Sequence, residues 1–207
     1  MTRSMRFAIC TGALLAVLMT GMPAASAEAQ TTGSFVGQRL AWSQLRSNFP
    51  TTAFWNRSDD ARIGYLNDGA STPGVNRAVF RMNIDGLQGK QILDARLVIL
   101  ETWSWSCAPR PVQSWVTGGI SSSTTWANQP AWLQLTDQRT VAHGNTVVCG
   151  SPPAYVEFSV TAAVQAAANA GQPEMNIGLR AGNEADASQW KRFRNDPVLQ
   201  VLYQDVT

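Results

Sequence analysis

From Ser34 onward the chain is built of short apolar and alternating runs separated by turn residues, the pattern of a sandwich or barrel. The clearest alternation runs from Arg77 to Ile84. Ala78, Phe80, Met82 and Ile84 share one face, and Arg77, Val79, Arg81 and Asn83 share the other. Asp85-Gly86 and Gly89-Lys90 then mark a turn. From Ile92 to Trp105 the run is apolar on both parities, which predicts a strand covered on both sides. Val112 to Thr117, Ala154 to Val160, Met175 to Ala181 and Val198 to Gln204 read as further strands, with shorter ones at Ile63 to Leu66 and Trp190 to Arg194.

One helix interrupts this pattern. Thr161 is placed to cap it, Ala162 to Ala170 supplies good helix formers, and Gly171 ends it. Seven or more short strands with one helix in a connection predict an all-β fold, a jelly-roll-like β-sandwich. Trp126 and Trp132 bracket Pro130 in a loop-like stretch and are expected to plug the ends of the sandwich.

The N-terminus adds a compartment to this picture. Arg3 and Arg6, the apolar stretch from Phe7 to Thr20, and Ala25-Ser26-Ala27 have the order of a secretory signal peptide, residues 1–27. The apolar run is short against the about 20 residues of a membrane span. A short linker, 28–33, then leads into one domain, 34–207. The whole-chain charge surplus of +2 belongs to Arg3 and Arg6, so the chain after the leader is balanced. A balanced chain has no basic field for nucleic acid and no electrostatic pull towards anionic lipid. With Cys10 in the leader, Cys107 and Cys149 remain as a pair, and export predicts a disulfide between them. Closing that loop is worth at most about 4 kcal/mol in the chain-entropy model.

Several ordered blocks resemble the DNRLRE-type domain. They are Asn76-Arg-Ala-Val-Phe-Arg-Met-Asn-Ile-Asp, Leu87-Gln-Gly-Lys-Gln-Ile with Asp94-Ala-Arg-Leu, and Thr102-Trp-Ser-Trp-Ser-Cys-Ala-Pro-Arg-Pro-Val-Gln-Ser-Trp. Thr124-Thr-Trp-Ala-Asn-Gln-Pro-Ala-Trp, Glu157-Phe-Ser-Val-Thr-Ala-Ala-Val-Gln, and Gly178-Leu-Arg-Ala-Gly-Asn-Glu followed by Trp190-Lys-Arg-Phe complete the set. The chain departs from the family's pattern at Val79 and Asn83. The resemblance implies a secreted β-sandwich module similar to carbohydrate-binding module family 96, some of whose members bind polysaccharide.

Sugar recognition needs an aromatic face left open to solvent beside groups that read hydroxyls. All eight Trp follow the leader. Trp115 alternates with Gln113 and Thr117, and Trp190 shares parity with Arg192 and Arg194, so Trp115, Trp190, Arg192 and Arg194 are the candidate ligand contacts. Trp103 and Trp105 lie beside the expected disulfide, where they can pack on it.

Glu184 and Asp186 share a Gly-Asn-Glu-Ala-Asp loop and are weak candidates for Ca²⁺, without EF-hand spacing. His143 is the sole His and has no G-x-S-x-G elbow or thiol nucleophile to serve. The expected function is therefore a non-catalytic carbohydrate-binding or cell-envelope adhesion module, with polysaccharide or envelope glycan as partner. The alternatives are a structural surface domain contacting proteins, or a small polysaccharide lyase or hydrolase, whose sign would be paired carboxylates in a cleft.

Overall fold

The computed structural model describes residues 31–206, and the signal-peptide reading of 1–27 lies outside them. Eleven antiparallel strands and one short helix form an all-β sandwich, as the alternation predicts. In chain order they are β1 (Thr32–Arg46), β2 (Phe54–Trp55), β3 (Ala61–Leu66), β4 (Gly74–Asn83), β5 (Lys90–Ser104), β6 (Arg110–Thr117), β7 (Trp132–Val141), β8 (Ala154–Ser159), α1 (Thr161–Asn169), β9 (Glu174–Ala181), β10 (Lys191–Phe193) and β11 (Val198–Asp205).

One layer, sheet A, pairs the first half of β1 with β11, β11 with β5, and β5 with β8 on its other side; β10 continues beside β5 and carries the start of β3. Sheet B runs β2, the second half of β1, β4, β9, β6 and β7. β1 and β3 cross between the layers, which ties the two sheets into one hydrogen-bonded path. The β3 crossing depends on Gly64. Its φ is +84°, and a Cβ there would stand 2.8 Å from the Gln189 carbonyl oxygen.

The predicted inner face of β4 is the heart of the core. Ala78, Phe80, Met82 and Ile84 are fully buried, and Trp42 stacks on Phe80 with centroids 6.0 Å apart. Beside them on β9 lie Ile177 and Leu179, and facing them from sheet A are Leu97, Ile99, Phe158 and Leu199, all buried. The opposite parity of β4, which carries Arg77, Arg81 and Asn83, is covered as well. Val79 is buried there with Leu45 and Ile120 in a second, smaller cluster. The connection between β6 and β7 folds back over sheet B and makes that cluster.

The helix falls where its alanines place it, but Thr161 is its first residue and not its cap. The cap position is Val160, and the Thr161 hydroxyl instead accepts from the Ala95 amide at 2.9 Å, fastening the helix to β5. The Gly171 and Gln172 amides donate to the Ala168 and Ala167 carbonyls and close its end.

Candidate functional site

Of the aromatic–arginine clusters among the described residues, two centre on tryptophans on the outer faces of the sheets, one on each. On sheet B they form a closed stack. The Arg77 guanidinium lies 4.7 Å from the Trp126 ring centre and 5.3 Å from that of Trp132. Arg180 lies 4.1 Å from Trp115 and 5.4 Å from Trp132. Two bonds of 2.8 and 2.6 Å join Arg77 to both oxygens of Glu184. The Gln129 side-chain oxygen accepts from Arg77 and from the Trp132 indole, and the Gln113 oxygen accepts from Arg180 and from the Trp115 indole. Burial lowers the Arg180 pKa; Glu184 opposes this and Arg77 adds to it.

This arrangement reassigns several residues. Trp126 and Trp132 do not plug the ends of the sandwich; they lie across the middle of sheet B, where Arg77 joins them. Trp132 rests on Gly178, whose missing side chain leaves the space: a Cβ there would stand 2.6 Å from the ring. Trp115 is on the outer parity expected of it, yet Arg180 covers one ring face and the Trp132 edge meets it at 6.4 Å. Glu184 is bound to Arg77. Asp186 accepts from the Ser188 amide and from Gln189, capping the 3-10 turn Ala187–Gln189. The two carboxylates considered for Ca²⁺ thus hold the protein's own donors, and no cluster of three metal-ligating side chains exists among the described residues.

The surface on sheet A is open. Register places Trp103 of β5 opposite Arg192 of β10, and Arg192 opposite Arg62 of β3, so the three form one row across the strands. Trp103 meets Trp105 edge-on at 5.7 Å and Trp190 at 5.0 Å. Arg192 lies over Trp190 at 4.9 Å and Trp103 at 5.6 Å. Partial burial against these rings lowers the Arg192 pKa, Arg62 lowers it further, and Asp60 opposes both. Asp60 accepts a 2.6 Å bond from the Thr102 hydroxyl, which holds it beside the row. Arg194 is exposed and ion-paired with Asp196.

Trp190 departs from expectation. Its parity matches Arg192 and Arg194, but it is only 3% exposed, because Trp103 and Arg192 lie over it. It supports the surface without presenting a face. Trp105, by contrast, is 43% exposed. Residue pattern alone could not separate these two, since both sit in short runs of mixed polarity.

Beneath this surface lies a buried ion pair. Lys191 and Glu101 have no exposed side-chain area, with 2.8 Å between Nζ and Oε1. Lys191 also donates to the Ser104 hydroxyl and the Val141 carbonyl. Burial pushes the Lys191 pKa down and the Glu101 pKa up, each opposed by the partner's charge. A carboxylate so enclosed cannot meet a polysaccharide. The predicted disulfide is present between Cys107 and Cys149, and it ties the 142–153 connection to the connection between β5 and β6. Asn145 adds to that tie, donating to the Ser104 carbonyl at 3.0 Å.

No known protein family matches this chain, and no curated protein does. Among solved structures, the chain is similar to the K1 cleaved adhesin domain of Lys-gingipain (Kgp) from Porphyromonas gingivalis W83. That likeness has 12% identity and a TM-score of 0.36, over 86% of this chain and 99% of that one. A likeness this low carries no functional argument.

Proposed function

We propose that this chain is a non-catalytic module that acts outside the cell and binds extended polysaccharide through the Trp103–Trp105–Arg192 surface of sheet A. The observation that supports the reading is the partial exposure of the Trp105 indole beside a row of guanidinium groups and Asp60. A sugar ring stacks its C–H face on an indole, while its hydroxyls need donors and acceptors at the rim. Arg192 and Arg62 supply donors, and Asp60 supplies an acceptor. Trp190 and Trp103 fix the platform from below and beside, so little side-chain entropy is lost when a ligand arrives.

Affinity electrophoresis in gels containing neutral and acidic polysaccharides tests this. Retardation by at least one polysaccharide, lost in Trp105→Ala and kept in Trp55→Ala, is the expected result. A chain that migrates unretarded in every gel, or a Trp105→Ala variant retarded like the parent, overturns the reading.

A further inference from the structure

A pocket lined with guanidinium groups lies where β3 passes from sheet A to sheet B. Gln44 and Arg46 near the end of β1, Phe54 of β2, Arg57 and Asp59 after it, and Arg62 of β3 border about 180 Å³. Gln44 fixes β3 here, accepting from the Arg62 amide at 2.7 Å and donating to the Arg62 carbonyl at 2.8 Å. Phe49 and Phe54 hold the Arg46 guanidinium, 4.7 and 5.1 Å from their ring centres, so it is oriented before any ligand arrives.

The charges of this pocket are not matched. Arg57 and Arg62 share Asp59, at 3.0 and 3.5 Å, while Arg46 has neither an ion pair nor a side-chain hydrogen bond among the described residues. Arg192 stands beside Arg62 in the sheet A row, with Asp60 as its opposing charge. Arg46, Arg57, Arg62 and Arg192 thus face only Asp59 and Asp60, a local positive surplus in a chain whose charges balance from residue 28 on. Burial lowers the Arg46 pKa, Arg62 and Arg57 lower it further, and Asp59 opposes them. Like charges crowded at a half-buried site repel one another, and an anion seated among them relieves the repulsion. The planar donor fork of an arginine also fits the paired oxygens of an oxyanion. The guanidinium groups of sheet B are engaged instead, Arg77 by Glu184 and Gln129 and Arg180 by Gln113.

We propose that this pocket receives the anionic substituent, a carboxylate or a sulfate ester, of an acidic polysaccharide whose other sugars lie on the Trp103–Trp105 surface. The proposal rests on the polysaccharide reading above and narrows it to acidic chains. Arg62 belongs to both places, lining the pocket and ending the row that runs from Trp103 through Arg192. Two inter-strand spacings, about 10 Å in all, separate Trp103 from Arg62 along that row. One extended chain can therefore occupy the indole surface and the pocket together.

NMR of the isotope-labelled chain, read at the Nε–H resonances of Arg46 and Arg62, tests the pocket without any polymer. Galacturonate and a sulfated glucose are titrated separately, against glucose and against sodium chloride at equal ionic strength. Saturable shifts with at least one acidic sugar, absent with glucose and with chloride and lost at Arg62 in Arg46→Gln, are the expected result; which acid acts identifies the substituent. Resonances unmoved by both acids up to about 50 mM, where even a Kd of tens of millimolar registers, overturn the proposal, as do shifts that chloride reproduces. Gel retardation then separates the two readings. Acidic polysaccharide should retard the parent several-fold more than neutral polysaccharide, and Arg46→Gln should remove that excess alone. Equal retardation by both, unchanged in Arg46→Gln, overturns the pocket and leaves the Trp105 surface standing. Shifts at Arg46 with no retardation in any gel overturn the polysaccharide reading and leave the anion pocket standing.

Discussion

The outer faces of the two sheets carry the same kinds of residue and are built to opposite effect. On sheet B, Trp126, Arg77, Trp132, Arg180 and Trp115 cover one another, and the guanidinium groups are joined to Glu184, Gln129 or Gln113. On sheet A, Trp103, Trp105, Trp190 and Arg192 also cluster, yet the Trp105 ring stays partly open and Arg192 has Asp60 beside it as an opposing charge. Aromatic and arginine content therefore does not distinguish a binding platform from a packing device. What distinguishes them is whether the ring faces and the donors are already taken.

If the sheet B stack is a packing device, removing its centre has the largest effect. Trp132→Ala should destabilise the fold by about 2–4 kcal/mol, somewhat below the usual cost for a fully buried Trp because this one is half-buried. Chemical denaturation measures it, and a loss under about 1 kcal/mol would mean the stack is decorative. Gly178→Ala tests the same contact from the other side. The added methyl would meet a ring pinned between Arg77 and Arg180, and overpacking of this kind costs about 1–3 kcal/mol.

The sheet A surface should respond in reverse. Trp105→Ala is expected to change stability by less than about 0.5 kcal/mol, as exposed substitutions do, while abolishing retention on polysaccharide. The smallest effect concerns pH. The hydrogen bond from Arg194 holds the Asp196 carboxyl below the usual carboxylate range, with burial opposing it. The stability from this shift is complete above the unfolded value of about 3.9 and is lost as pH falls through the lower folded value. Melting temperatures between about pH 2 and pH 5 should fall less steeply for Asp196→Asn than for the parent chain.

Much of this molecule could be read from local pattern, and particular residues show why. Ala78, Phe80, Met82 and Ile84 alternate strictly, so a single strand with one buried face followed directly. The alanines before Gly171 identified the helix, since few other arrangements satisfy that run. β1 was harder. It has fifteen residues and serves both sheets, so its buried parity changes along its length, with a register shift between Arg39 and Ala41. β7 was masked by the opposite problem: as an edge strand it buries little, and its sequence has no inward stripe.

Local pattern was enough for the class of fold, the helix, the pairing of Cys107 with Cys149 and the outward parity of Trp115, Arg192 and Arg194. The elements and parities rest on nearest-neighbour geometry, where a period of two or 3.6 suffices, and the disulfide on there being two cysteines once Cys10 is set aside. Which aromatics are open depends on contacts between distant parts of the chain. Trp190 is covered by Trp103, which lies 87 positions earlier, and Trp115 by Arg180, 65 positions later. Burial of a ring depends on what arrives from elsewhere in the chain, and sheet register, not local period, brings those partners into place.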